Sequence, residues 1–158
     1  MKFFETERCI VREFKKEDLN IVVEYRNNLE WMKYQGFKNL SIEEYKFSLI
    51  APFNIEKGSQ LAIENKDLNQ LIGDLYVKKE NNIINIGYTI HPLHSRKGYI
   101  KEVVSVLISY LYRKHPNCTI QGEMDLDNVA SKKLLIALGF DCIETNKDGY
   151  TYSLMKKS

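Results

Sequence analysis

Residues 84–111 constrain this chain more than any other stretch, because the period of their apolar residues changes part-way along. Ile84, Ile86, Tyr88 and Ile90 alternate with Asn85, Gly87 and Thr89, the period of a strand with one buried face. Pro92 has no amide to give a sheet ladder, so the strand ends near His91. From Gly98 onward Val103, Val104, Leu107, Ile108 and Leu111 recur at helical spacing. A strand therefore enters a helix through the short basic loop Ser95-Arg96-Lys97-Gly98. The first amides of a helix have no partner inside it, and the positive end of the helix dipole adds to them. Such a place binds an anion, most naturally a phosphate. The loop has neither the Gly-x-x-x-x-Gly-Lys-Ser/Thr cradle of a nucleotide triphosphate site nor a three-glycine dinucleotide fingerprint. Taken alone it is either an anion site or a connection whose basic residues are solvated.

The remainder of the chain narrows the class. Its 158 residues suit one domain spanning 1–158. A net charge of +2 gives no footprint for nucleic acid or an anionic membrane surface. Only the Lys156-Lys157 pair near the end departs from an even mixing of charges, and it reads as a solvated tail. Charges at the N-terminus replace the apolar run of a signal peptide, and no apolar stretch is long enough to span a bilayer. Cys9, Cys118 and Cys142 are odd in number, lack Cys-x-x-Cys spacing and fit a reducing cytoplasm, each as a small buried hydrophobe. The pair His91-x-x-His94 has no cysteine or carboxylate beside it, so no metal site is expected.

In chain order, Cys9 to Phe14 predicts a first strand, and Lys16 to Asn28 a first helix with Glu17 and Asp18 complementing its dipole. Leu19, Val22, Val23 and Arg26 share one face of that helix. Trp31, Met32, Tyr34 and Phe37 form an aromatic loop, a packing lid or a substrate-facing wall. Ser41-Ile-Glu-Glu44 is a capping box for a second helix, ended by Pro52. Strands follow at Leu61 to Glu64 and Leu71 to Val77, and Asn81-Asn82 turns the chain into the strand before the loop. After the central helix, Ile120, Gly122, Met124 and Leu126 alternate with Gln121, Glu123 and Asp125. Asp127-Asn128 caps a last helix with Leu134, Leu135 and Leu138 inward and Gly139 just past its end. A hairpin of Asp141 to Glu144 and Tyr150 to Leu154 closes the chain. The expected fold is α/β (α+β), a mixed, mostly antiparallel central sheet of about seven strands flanked by about four helices.

Two motifs at this spacing carry a family resemblance. One is strand, His-Pro, Ser95-Arg-Lys-Gly-Tyr-Ile100, helix; the other is Asp127-Asn-Val-Ala-Ser131, an apolar helix, then Leu138-Gly-Phe140. Together they resemble the GNAT acyl-CoA N-acyltransferases, and the branch of ribosomal-protein-alanine N-acetyltransferases in particular. Thr6-Glu-Arg8, Val11-Arg12, Asp18, Arg26-Asn27 and the Ser41 segment resemble that branch as well, so the likeness spans essentially the whole chain. The family loop is Gln/Arg-x-x-Gly-x-Gly/Ala; here Ser95 replaces its first residue and Ile100 its last. In that family the loop contacts the cosubstrate's diphosphate mainly through backbone amides, so the resemblance implies that Ile100 rotates into the core while its amide still donates.

The resemblance implies acetyl-CoA as cosubstrate, leaving as CoA. By it, Ile90 pairs with the pantetheine arm, while Ser95, Arg96, Lys97, Gly98, Tyr99, Ile100 and Lys101 cradle the diphosphate. Lys97 adds a charge-assisted contact or is simply solvated. Asn128 touches the cosubstrate, caps the last helix, or does both. The amine must lose a proton before it attacks, and the departing thiolate must gain one. Glu123 matches the carboxylate base of alanine N-acetyltransferases or is a solvent-facing strand residue; Asp74 is a weaker second candidate. The tyrosine that relatives use as acid is replaced by Leu135; Ser131 is the substitute acid, only hydrogen-bonds the thiolate, or is a helix-surface serine. Glu102 complements the central helix dipole. Trp31, Tyr34, Tyr76 and Tyr88 border the acceptor, a peptide or small-molecule amine that the sequence does not specify further. The implied protein is a cytoplasmic N-acetyltransferase, monomer or homodimer, with no nucleic-acid or membrane partner. The alternative is an acyl-CoA-binding regulatory domain without turnover, since Ser95, Ile100 and Leu135 depart from the catalytic pattern.

Overall fold

The computed structural model describes residues 1–154, so the Lys156-Lys157 pair lies outside the described residues. Eight strands form one sheet. In spatial order they are β1 (Lys2–Glu5), β2 (Cys9–Arg12), β3 (Ser59–Asn65), β4 (Gln70–Glu80), β5 (Ile83–Ile90), β6 (Thr119–Met124), β8 (Gly149–Leu154) and β7 (Asp141–Asn146). Every neighbouring pair is antiparallel except β5 and β6, which run parallel across a helical crossover. The helices are α1 (Leu19–Arg26), α2 (Ile42–Leu49), α3 (Tyr99–Lys114) and α4 (Val129–Ala137). None among the described residues is long and apolar enough to cross a membrane.

The expected mixed sheet is present, with one strand more than its sequence pattern announced. The addition is β1, Lys-Phe-Phe-Glu, whose Phe4 is buried while Lys2 and Glu5 face solvent. Four residues are too few to display a period, and the strand exists because β2 supplies its partner. The first helix is also shorter than its periodicity suggested. Lys16–Asp18 form a 3-10 turn, and the α-helix proper begins at Leu19. Asp18 is buried, and its carboxylate accepts from Arg12 Nη1 at 2.8 Å and the Lys15 amide at 2.7 Å. It anchors the turn to β2 rather than complementing a dipole.

Both faces of the sheet are covered. In β3, Leu61 and Ile63 join the cluster packed under α3, while Ala62 between them joins a second cluster with α1 and α2. Val103, Val104, Leu107 and Leu111 form the buried stripe of α3. Val22, Tyr25, Tyr45 and Leu49 do the same for the α1–α2 pair. Cys9 and Cys118 are buried as expected, but Cys142 is exposed, because β7 is the outer strand and no element covers it.

One irregularity positions everything that follows. The β5–β6 ladder runs from Ile83↔Thr119 to Ile86↔Gly122 and stops there. β5 goes on to Ile90 beside β4, while β6 goes on to Met124 beside β8. The two parallel strands thus part over residues 87–90 and leave a cleft in the sheet. α4 lies behind it, with Leu135 buried against Gly122, where a Cβ would stand 2.9 Å from the leucine Cδ1.

Candidate active site

The turn between β5 and α3 is built from local hydrogen bonds. His91 Nδ1 accepts from the Leu93 amide at 3.1 Å, and Ser95 Oγ donates to the Pro92 carbonyl at 2.8 Å. Arg96 (φ 61°) and Gly98 (φ 79°) both adopt left-handed backbone, which bends the chain sharply into the helix. The first helical bond runs from the Glu102 amide to the Gly98 carbonyl at 3.1 Å. The amides of Tyr99, Ile100 and Lys101 are therefore those that α3 cannot satisfy itself.

The N-terminal motif braces this turn from behind. Arg8 Nη1 donates to the Lys97 carbonyl at 3.0 Å, and its guanidinium lies 4.2 Å from the Tyr99 ring centroid. Arg8 Nε reaches Glu102 at 2.6 Å, and Glu102 also accepts from the Arg8 amide and the Thr6 hydroxyl. Burial alone would raise the Glu102 carboxyl, but the Thr6 and Arg8 donors outweigh it and hold it below the usual range. Glu102 is thus a partner of the brace as well as a first-turn acid. Tyr99 is fixed further by Asn65 Nδ2, which donates to its hydroxyl at 3.1 Å.

Across the cleft, Asn128 is the N-cap of α4, its Oδ1 accepting from the Ser131 amide at 3.2 Å. Ser131 Oγ lies 2.5 Å from the Tyr88 hydroxyl, which ties the first turn of α4 to the parted end of β5. Burial pushes the Tyr88 phenol up to about 12, against the opposing pull of Ser131. The aromatic loop closes one side: Trp31 Nε1 donates to the Ile90 carbonyl at 2.8 Å.

Between these walls runs a groove of about 800 Å³. Ile90, Ser95, Arg96, Gly98, Tyr99, Ile100, Lys101, Asn128 and Ser131 line it, as do Trp31, Tyr34 and Tyr88. Lys97 does not, because its carbonyl faces Arg8 and its side chain is exposed. Ile100 is half-buried and packs against the core while still bordering the groove. Leu135 points into the core, away from the groove.

A second cavity, of about 570 Å³, opens on the α1–α2 face and meets the groove at Gln35, Tyr88 and Thr89. Tyr76, Phe14, Phe37 and Phe53 supply its aromatic walls. At its floor Arg26 and Asp74 form a buried bidentate pair, Nη2–Oδ1 at 2.6 Å and Nε–Oδ2 at 3.1 Å. Tyr25 donates to the same carboxylate, and Arg26 Nη1 donates to the Phe37 carbonyl at 2.6 Å. Asp74 is committed on both oxygens. The aromatic residues expected to border one acceptor site therefore divide: Trp31 and Tyr34 line the groove, Tyr76 the cavity, and Tyr88 both. Glu123 is exposed and borders neither. The register Asn85↔Gln121 nevertheless puts it on the sheet face of Gly87 and Thr89, the face on which the cavity opens.

Sequence reasoning missed the Arg26–Asp74 pair and the Tyr88–Ser131 contact. Arg26 had a visible signal, a charge on the apolar stripe of α1 that demands a buried counter-ion. Nothing local announces Tyr88, whose partner comes from an element far along the chain.

A model of the acetyltransferase (GNAT) domain matches residues 8–141. The chain belongs to the GNAT acetyltransferase family. The uncharacterized N-acetyltransferase YoaA of Bacillus subtilis (strain 168) is 31% identical over 143 residues, covering 86% of this chain and 81% of that protein. A GNAT-family acetyltransferase structure from Bacillus anthracis is similar with a TM-score of 0.87 at 20% identity, covering 98% of each chain. A ribosomal L7/L12 α-N-protein acetyltransferase, solved in complex with coenzyme A, gives 0.81 at 15% identity, again over 98% of each. At those identities the two structures speak for the fold. As a GNAT member the chain is an acetyl-CoA-dependent acyltransferase.

Proposed function

We propose that this chain acetylates a primary amine, a protein N-terminus or a small-molecule amine, by direct attack on acetyl-CoA in the cytoplasm. We also place it in the ribosomal-protein-alanine branch of the GNAT family, on the likeness of its Thr6-Glu-Arg8 segment. One observation carries the reading: a doubly left-handed turn delivers the unsatisfied amides at the head of α3 to a groove that Ser131 also lines. Those amides suit a diphosphate, since they are oriented donors at the positive end of a helix. The parted strands give the acyl arm a path through the sheet, and the second cavity gives the acceptor a place on the far side, meeting at Tyr88 and Thr89.

In this reading the residues divide the work by position. The turn 95–101 holds the diphosphate. Asn128 and Ser131 sit at the acyl end, and Glu123, on the sheet face of the acceptor cavity, takes the proton of the incoming amine directly or through water. Tyr76 and the phenylalanines give the acceptor cavity an apolar wall, with the Arg26–Asp74 pair neutral overall at its floor. The unbridged cysteines suit a reducing compartment.

The test is calorimetry with CoA followed by thiol release from acetyl-CoA across a panel of amines. Binding with turnover on at least one amine is expected, and Glu123→Gln should then lower kcat with little change in CoA affinity. Binding without turnover would favour a regulatory acyl-CoA sensor. Absence of both would end the assignment.

A further inference from the structure

The contact between Tyr88 and Ser131 joins two hydroxyls, and only one of them can be the donor. Tyr88 is half-buried, and the burial of its phenol pushes it up to about 12, so it keeps its proton at neutral pH. Its hydroxyl lies 2.5 Å from Ser131 Oγ, whereas its other neighbour, the Ser131 carbonyl, is 3.5 Å away. Either hydroxyl can be the donor at that distance. The phenol is the stronger acid of the two and the serine oxygen its closer acceptor, and this is the arrangement the inference takes. Among the described residues Ser131 Oγ has no other hydrogen-bond partner, and its amide is fixed by Asn128 Oδ1. In that arrangement the serine proton is free to face the groove that both side chains border.

The geometry points to Tyr88 as a positioning residue that, by donating to Ser131 Oγ, turns the serine proton onto the sulfur of the acyl donor. This rests on the reading of the groove as the acetyl-CoA site. As the amine nitrogen bonds to the thioester carbon, the carbonyl π pair moves to oxygen. On collapse that pair reforms the C=O bond, and the C–S pair leaves with sulfur. The amine gives one proton to base and solvent, and the thiolate takes one back, so the products are amide and free thiol. The pair does not itself supply that proton. A phenol near 12 is a weaker acid than a thiol, whose ordinary value is about 8.5, so full transfer to sulfur runs uphill. Ser131 lends the thiolate a hydrogen bond, and Tyr88 keeps that bond aimed. The departing charge is stabilised without a dedicated acid, which fits the loss of a tyrosine at Leu135.

The experiment reads the sulfur directly. CoA is bound to wild type, Tyr88→Phe and Ser131→Ala, and the thiolate absorbance is followed against pH as a difference from each protein alone. In wild type the bound thiol should titrate about one pH unit below free CoA, because a hydrogen bond to an ionised acceptor is worth that much or more. Both variants should return it toward the free value while CoA affinity stays within about twofold, the shared diphosphate contacts being untouched. With an amine that wild type acetylates, Tyr88→Phe should lower kcat about tenfold at unchanged KM for acetyl-CoA, and the double variant should be no slower than Ser131→Ala alone. Equal titration curves in wild type and either variant would overturn the positioning role, as would losses that multiply in the double variant. Ser131→Ala leaves the half-buried ring in place, so it answers the question even where Tyr88→Phe fails to fold. Wild type that binds no CoA would instead bring down the functional reading, and this inference with it.

Discussion

The indole N–H of Trp31 donates to the Ile90 carbonyl at 2.8 Å, on the edge that β5 exposes where it leaves β6. Gln35 Nε2 reaches the Tyr88 carbonyl, two residues earlier on the same edge, at 3.4 Å. The aromatic loop therefore holds the Ile90 carbonyl, and on the proposed reading an acyl-CoA arm would compete with the indole for it. Trp31→Phe keeps a ring in the groove and removes the competing donor. CoA affinity should rise by about two- to tenfold, the worth of one net hydrogen bond. Trp31 is the only tryptophan of the chain, so its emission should also shift as CoA displaces it. Unaltered emission at saturating CoA would show that the indole stays in place.

Arg8 ties the N-terminal segment to the turn by its bond to the Lys97 carbonyl, its stacking on Tyr99 and its pair with Glu102. It borders the turn from outside and does not line the groove. Arg8→Ala should weaken CoA binding about five- to tenfold by loosening the turn, a modest loss because the guanidinium is partly exposed. KM for the amine should stay within about twofold, since the second cavity, proposed above for the acceptor, lies on the other face of the sheet. Calorimetry and steady-state kinetics on the same preparation separate these outcomes.

How much of this was legible before the fold is clearest at individual residues. The change of period around Gly98 announced the strand, turn and helix, and Asn128 and Gly139 marked the ends of α4, because caps and turns act within a few residues. β1 was hidden because a four-residue strand has no period of its own. The partners of Trp31, Arg8 and Tyr88 were hidden for another reason. Each contact joins residues tens of positions apart, and side-chain type alone does not select among the carbonyls and hydroxyls that folding brings near. Glu123 shows the remaining gap. Its strand and face could be read from alternation, but that it stands clear of both cavities depends on where β5 and β6 part.

Asp74, a weaker candidate base from sequence, is held in a buried ion pair with Arg26. With Arg26 3% and Asp74 2% exposed in their side chains, the pair is dry, and removing one member strands the other charge. Asp74→Ala should destabilise the protein by about 3–5 kcal/mol in urea unfolding. Asp74→Asn, which keeps the shape and the oxygen facing Tyr25 but loses the charge, should be destabilised as well, to a smaller degree. A variant with wild-type unfolding and depressed kcat would return Asp74 to the chemistry.

Glu102 makes the brace sensitive to acid. Its carboxyl is held below the ordinary 4.5, as the Thr6 and Arg8 donors overcome the cost of burial. A carboxyl depressed in the folded state adds stability that is complete above its unfolded value and is lost as pH falls through its folded one. The contribution should thus be constant from neutrality down to about pH 5 and decline below 4.5. Glu102→Gln, which cannot ionise, should unfold at lower urea than wild type at pH 7, and the gap should narrow steadily toward pH 3. Urea midpoints for both proteins at half-unit steps of pH give the measurement. A gap independent of pH would mean that the Thr6–Arg8–Glu102 cluster is held by shape and neutral hydrogen bonds rather than by the carboxylate charge.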